Sequence, residues 1–145
     1  MAGESNHDIF HRPTPLRIMY IDDEEQLTRF IDLALRRAGH HVQTFTQPAH
    51  ALDVLRRTPE KFDLVVTDAL MPGVSGLDVS RAVKRIRSSL PVILVSGNIS
   101  PAILSEAAKA GVTRVLPKPF RVGDLLETGP APEPSSDRKS ELMEG

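Results

Sequence analysis

The chain has 145 residues, of which 40% are hydrophobic and 26% are charged, a composition that suits one globular domain with a hydrophobic core. Lys plus Arg number 18 and Asp plus Glu number 19, so the net charge of −1 gives no basic field that would attract nucleic acid or an anionic membrane. The absence of cysteine excludes disulfides, thiolate metal sites and a cysteine nucleophile, and it agrees with a cytoplasmic location.

The two ends of the chain differ in composition from its middle. Residues 1–15 are polar and lack the apolar segment of a secretory signal, so we expect a disordered leader. Residues 129–145 carry three prolines and few large apolar groups, which predicts a disordered tail or a linker. The folded domain is therefore predicted to span residues 16–128. No apolar run approaches the ~20 residues of a membrane span.

Strand and helix patterns alternate through the first half of this domain. Strands are predicted at 16–21, 41–45 and 62–67, a helix at 48–57, and a turn at 69–75. Between the first two strands, apolar residues recur at helical spacing, and Gly39 then favours a helix end. The apolar face of that first helix is predicted to consist of Leu27, Phe30, Ile31, Ala34, Leu35 and Ala38.

The alternation continues through the second half. Helices are predicted at 76–88 and 121–128, and strands at 91–95 and 113–116. Ser100 and Pro101 predict the start of another helix, as a cap and a first-turn proline, and Gly111 predicts its end. The inward residues of that helix are predicted to be Ile103, Leu104, Ala107 and Ala108.

Five strand–helix units with nearly continuous apolar strands predict an α/β fold whose parallel sheet is covered on both faces. We expect a flavodoxin-like (βα)5 doubly wound sheet. Its strand order, 2-1-3-4-5, is adopted from such folds rather than derived. Ligands in these folds bind outside the carboxyl ends of the strands, where the winding reverses.

Polar residues follow four of the predicted strands at that edge. Asp22 and Asp23 follow the first strand, Asp68 the third, Ser96 the fourth and Lys118 the fifth. Strands one, three and four are neighbours in the adopted order, so three carboxylates are expected to converge. These carboxylates repel one another, so a stable site needs positive charge close to them. Lys118 and a divalent cation would supply that charge. Because all the ligands are oxygens, Mg²⁺ is the favoured cation.

Each of these residues also has a purely structural interpretation. Asp23 could cap the first helix, with Gln26 completing a capping box. Asp68 could simply be a turn-forming residue. Ser96 could be a loop hydroxyl, and Lys118 could be a solvated surface lysine. Their joint occurrence at one edge of the sheet favours a shared site.

Four sequence runs together resemble the receiver domain of two-component response regulators. They are YIDDEE (20–25), VTDALMPGVSG (66–76), VSGN (95–98) and LPKPF (116–120). The chain is also similar to receivers attached to hybrid sensor histidine kinases. The resemblance covers residues 16–128 and implies a phosphorelay module rather than an enzyme, with slow autodephosphorylation as its only turnover.

The resemblance implies a role for each matching residue. Asp68 would accept the phosphoryl group from the phosphohistidine of a histidine kinase or a histidine phosphotransfer protein. Asp23, Asp68 and the backbone carbonyl of Leu70 would bind Mg²⁺, with Asp22 acting through water. The phosphoryl group would be contacted by Ser96 and Lys118, and the bond between Lys118 and Pro119 would be cis.

Three features depart from the family pattern. Val115 stands where the family usually has an aromatic switch residue, so the usual rotamer coupling is not available. Gly129 and Pro130 shorten the last helix, which weakens dimerisation through that face and is compatible with a monomer. Leu70 stands where polar side chains can orient a hydrolytic water, which predicts slow loss of the phosphoryl group.

Two other functions remain as alternatives. The first is a pseudo-receiver that serves only as a docking scaffold. The second is a phosphohydrolase with an aspartyl nucleophile, although such enzymes usually carry Asp-x-Asp at one strand end and this chain has adjacent Asp22 and Asp23. No direct contact with nucleic acid is expected.

Overall fold

A computed structural model describes residues 14–127 of the chain. The predicted tail and all of the predicted leader except Thr14 and Pro15 lie outside the described residues. Thr128, the last residue of the predicted domain, lies outside them as well.

Five strands form the main sheet and two short strands form a hairpin beside it. The main strands are β1 (Arg17–Ile21), β2 (His41–Phe45), β3 (Leu64–Asp68), β6 (Val92–Ser96) and β7 (Arg114–Pro117), and the hairpin strands are β4 (Leu70–Met71) and β5 (Val74–Ser75). The helices are α1 (Glu25–Arg37), α2 (Pro48–Arg57), α3 (Gly76–Ile86), α4 (Pro101–Lys109) and α5 (Val122–Leu125).

The main sheet is parallel throughout, with the order β2-β1-β3-β6-β7. Since β6 and β7 are the fourth and fifth strands of this sheet, the predicted order 2-1-3-4-5 and the flavodoxin-like fold are confirmed. The winding reverses between β1 and β3, whose carboxyl ends lie side by side.

Both faces of the sheet are covered by helices. On one face, Ile31 and Leu35 of α1 and Leu125 of α5 pack with the sheet residues Ile18 and Val66. The residues that pack on the other face, which α2 and α3 cover, include Met19, Ala51, Leu55, Val65, Val79 and Val83. Burial of apolar strands on two sides explains why their sequences are apolar without alternation.

Local sequence signals set several helix ends as predicted. The hydroxyl oxygen of Ser100 accepts the backbone N–H of Ile103 at 3.2 Å, and Pro101 occupies the first turn of α4. Gly39 and Gly111 follow α1 and α4 with φ values of 95° and 84°, a region that favours glycine.

The predicted burial of three helix residues and the predicted length of the last helix are wrong. Phe30 is 64% exposed, and Ala38 and Ala108 are also exposed, because the sheet covers only the arc of each helix that faces it. The segment predicted as a turn at 69–75 forms the β4–β5 hairpin, which turns at residues 72–73. The last helix, predicted at 121–128, covers only the four residues Val122–Leu125.

Candidate functional site

The carboxyl edge of the sheet brings three carboxylates together. Asp22 follows β1 and is fully buried, Asp68 ends β3 and is buried, and Asp23 is exposed. One carboxylate oxygen from each of the three lies within 4.8 Å of the others. Two ionised carboxylates at this separation repel each other by roughly 3 kcal/mol at an effective dielectric of 20. The cluster therefore suits a hard divalent cation, and its donors are all oxygen.

Lys118 reaches this cluster from the end of β7. Its Nζ lies 3.1 Å from Oδ1 of Asp68 and 3.6 Å from Oδ2 of Asp22. Burial opposes the charge, but the two carboxylates outweigh it and raise the pKa of Lys118 above its ordinary value. The peptide bond between Lys118 and Pro119 is cis, as the family resemblance implies.

Asp22 is held by neighbours within its own strand and loop. Its Oδ1 accepts the backbone N–H of Glu24 at 2.9 Å, and the hydroxyl of Tyr20 lies 3.4 Å from its Oδ2. Burial raises the pKa of Asp22, although the bond from Glu24 acts in the opposite direction. The sequence did not predict the contact between Tyr20 and Asp22, because Tyr20 lies within an apolar strand and is interpreted as one of its apolar residues. Its spacing of two from Asp22 is the signal that could have revealed it.

The capping interpretation of Asp23 is wrong. Glu24 is the N-cap residue of α1, and it makes no side-chain capping bond. The Asp23 side chain is exposed and belongs to the carboxylate cluster. Its position there agrees with a role in binding a cation.

Ser96 ends β6 next to the cluster and is tied to the following loop. Its hydroxyl donates to the carbonyl oxygen of Asn98 at 2.8 Å and accepts the backbone N–H of Asn98 at 3.1 Å. The backbone N–H of Lys118 donates to the carbonyl oxygen of Ser96 at 2.9 Å. The two predicted phosphate-contacting residues are therefore joined through their main chains.

The segment after Asp68 is anchored beneath the site. Its hairpin pairs Leu70 with Ser75, and the backbone N–H of Gly76 donates to the carbonyl oxygen of Ala69 at 2.8 Å. Leu70 in this hairpin is 78% exposed. This arrangement brings the start of α3 directly under Asp68.

Val115, at the expected switch position, packs on the α4 side of the sheet. It lies against a small cluster that contains Ala69, Leu94 and Ala107. The cluster joins the segment after Asp68 to β6 and α4 through aliphatic contacts.

Among residues 14–127, no helix is long and apolar enough to cross a membrane.

Comparison with known sequences gives a consistent result. The sequence model of the response regulator receiver domain matches residues 18–128. The chain is 32% identical over 110 residues to the response regulator receiver protein CpdR of Brucella abortus, covering 76% of this chain and 90% of that protein. It is 34% identical over 113 residues to the two-component response regulator ARR10 of Arabidopsis thaliana, covering 78% of this chain. The chain spans about a fifth of the length of ARR10 and of its relative ARR12.

Solved structures with the same fold also match. The chemotaxis protein CheY4 of Vibrio cholerae superposes with a TM-score of 0.72 at 25% identity, covering 78% of this chain and 94% of that one. A response regulator receiver domain protein from Clostridium thermocellum gives a TM-score of 0.71 at 31% identity, with 76% and 87% covered.

Proposed function

Because the chain belongs to the family of response regulator receiver domains, we propose that it accepts its phosphoryl group on Asp68. A receiver domain is a phosphoaccepting signalling module of a two-component system and not a classical enzyme. The observation that carries the assignment is the position of Asp68, which is buried at a strand end with its Oδ1 3.1 Å from the Lys118 ammonium, inside a cluster of three carboxylates.

Mg²⁺ is the proposed cofactor, as it is for receiver domains in general. We assign Asp23, Asp68 and the backbone carbonyl of Leu70 as its ligands, with Asp22 acting through water. The all-oxygen donor set and the 4.8 Å spread of the carboxylate oxygens support this assignment. When bound, the cation supplies positive charge that neutralises phosphoryl oxygens.

The chain's own residues perform the transfer as follows. The Lys118 ammonium contacts Oδ1 of Asp68, so we assign the attack to Oδ2. A bond forms between Oδ2 and phosphorus as the bond from phosphorus to the donor histidine nitrogen breaks, and the imidazole leaves with that electron pair. Lys118 then pairs with the transferred group, and Ser96 exchanges its bond to Asn98 for one to a phosphoryl oxygen.

The phosphoryl donor is proposed to be a histidine kinase or a histidine phosphotransfer protein. A protein partner is supported by exposed apolar side chains on the segments after β3 and β6 and on α1. Leu70, in the hairpin after β3, and Ile99, in the loop after β6, are exposed by 78% and 36%. On α1, whose first turn follows the carboxylate pair, Phe30 and Leu33 are exposed by 64% and 50%. A bound protein would cover such exposed apolar side chains, and they are the basis of this part of the proposal.

We further propose that residues 16–128 form the receiver unit, with residues 1–15 and 129–145 as its flanking segments. The unit would act in the cytoplasm. It would transmit the change at Asp68 to a target or to further domains, without contacting nucleic acid directly.

Treatment with acetyl phosphate, or with beryllofluoride, in the presence of Mg²⁺ tests the assignment. We expect one adduct per chain by intact mass, absent in Asp68→Asn and retained in the control Asp53→Asn, which alters an exposed carboxylate on α2. An adduct that survives in Asp68→Asn would refute the proposed acceptor. Turnover of many equivalents would indicate a hydrolase, and the lack of any adduct would indicate a docking scaffold.

A further inference from the structure

Tyr20 places a buried hydroxyl next to the carboxylate cluster. It is the only tyrosine of the chain and is 1% exposed. Alternate residues of a strand share a face of the sheet, so Tyr20 and Asp22 point the same way from the end of β1. The Tyr20 hydroxyl consequently lies 3.4 Å from Oδ2 of Asp22.

The core itself does not require this hydroxyl. The Tyr20 ring belongs to the apolar cluster that contains Ile31, Leu35 and Val66, where phenylalanine would supply the same ring. Extensive packing fixes the ring and so fixes the direction of the hydroxyl. A neutral phenol donates one hydrogen bond, and a carboxylate is its natural acceptor.

The two oxygens of Asp22 are held differently. Oδ1 accepts the backbone N–H of Glu24, whereas Oδ2 lies between the Tyr20 hydroxyl and the Lys118 ammonium, which is 3.6 Å away. Asp22 is fully buried, so bulk water cannot readily take the place of a lost donor. The orientation of this carboxylate therefore depends on the donors around it.

We propose that Tyr20 is a positioning residue of the cation site, whose hydroxyl keeps Oδ2 of Asp22 turned toward Lys118 and the cation. The inference rests on the proposed role of Asp22 in holding Mg²⁺. Groups that orient the residues around a metal usually contribute tenfold or more to its affinity. Tyr20 would thus affect how much Mg²⁺ the site needs rather than how the phosphoryl group is transferred.

Calorimetric titration with Mg²⁺ tests this role directly. In Tyr20→Phe we expect the Kd for Mg²⁺ to rise about tenfold. Saturating Mg²⁺ should restore the wild-type rate of adduct formation from acetyl phosphate. The matched control is Ile18→Val, which trims a buried residue on the same strand and face and should lower the melting temperature without changing the Kd. An unchanged Kd in Tyr20→Phe, or an equal rise in Ile18→Val, would overturn the proposal.

A double-mutant cycle separates positioning from a general effect on the site. In an Asp22→Asn background, Tyr20→Phe should change the Kd for Mg²⁺ less than twofold, because the carboxylate to be positioned is gone. An undiminished tenfold effect in that background would contradict the proposal. Failure of the proposed function would appear separately, as a wild-type protein that binds Mg²⁺ but forms no adduct on Asp68.

Tyrosine fluorescence offers a second readout on the intact protein. The chain has one tyrosine and no tryptophan, so its emission reports on Tyr20 alone. Addition of Mg²⁺ should change this emission with the same midpoint as the calorimetric titration. Emission that stays constant through saturation would count against contact between the Tyr20 hydroxyl and the site.

Discussion

Replacing Gly76 by alanine is expected to damage the fold and the site together. A Cβ atom at this position would lie 2.5 Å from Cδ1 of Leu94, 3.0 Å from Cα of Ala69 and closer still to the carbonyl oxygen of Asp68. The leucine end could move aside, but the other two atoms belong to the main chain. Relief of the overlap therefore requires a shift of the segment that carries the phosphoacceptor.

Two opposing effects set the magnitude of the loss. Overpacking costs ~1–3 kcal/mol, and we take the upper end because rigid backbone atoms are involved. Alanine is more favourable than glycine within a helix by up to about 1 kcal/mol. The strain outweighs the gain, so the free energy of unfolding should fall by about 2 kcal/mol. For a domain of this size that corresponds to a melting temperature lower by roughly 8 °C.

Urea denaturation and thermal melts measure the loss, with Gly123→Ala as the matched control. Gly123 lies in α5, and a Cβ added there meets nothing within 4 Å, so the control should keep or slightly raise the stability. Adduct formation from acetyl phosphate should also slow in Gly76→Ala, since Asp68 is displaced. If Gly76→Ala proved as stable as Gly123→Ala, the close approach beneath Asp68 would not constrain the chain as described.

Three further predictions concern charge, hydrolysis and pH. Lys118→Met removes the ammonium 3.1 Å from Asp68 and should slow adduct formation from acetyl phosphate about a hundredfold without unfolding the protein; an unchanged rate would contradict the role of Lys118. Leu70→Asn should hasten loss of the phosphoryl group several-fold at little cost in stability, because the side chain is 78% exposed; an unaltered half-life, followed by intact mass, would refute this. Burial lowers the pKa of His40, whose Nδ1 accepts the backbone N–H of Leu16. The unfolded chain therefore binds the proton first, and the free energy of unfolding should fall as the pH drops below about 6.5. His40→Gln should flatten that dependence in urea denaturation between pH 7.5 and 5.5, and an equal slope in both proteins would rule the mechanism out.

The elements that could be predicted from sequence are those marked by several independent signals. The second helix was predicted at 48–57, and α2 spans Pro48–Arg57, because a proline begins it and apolar residues recur at its period. The start of α4 followed from Ser100 and Pro101, which act within one turn and need no tertiary information. Such local signals make the boundaries of these helices readable from the sequence.

Burial around a helix could not be read in the same way. Apolar residues occupy more of α1 than the sheet can cover, and periodicity does not say which of them are buried. Ile31 and Leu35 are nearly inaccessible, while Phe30 and Leu33 face outward. The two-residue strands of the hairpin are similarly too short to show a period of two.

The site was predictable because parallel strands end at one edge, which brings Asp22, Asp68 and Lys118 together whatever the details of packing. The contacts that orient these groups depend on side-chain direction and loop geometry instead. Two contacts are of this second kind: the Tyr20 hydroxyl beside the Asp22 carboxylate, and the hydrogen bond from the Ser96 hydroxyl to the carbonyl oxygen of Asn98. They became visible only in three dimensions.

The backbone hydrogen bond from Lys118 to Ser96 joins the two residues mechanically. We therefore expect a displacement of the backbone at either residue to move the other. Because β7 is the edge strand of the main sheet, such a displacement would reach the edge of the sheet through the backbone. Val115 offers no aromatic ring to carry the change, so we expect this backbone contact to link the site to the edge strand.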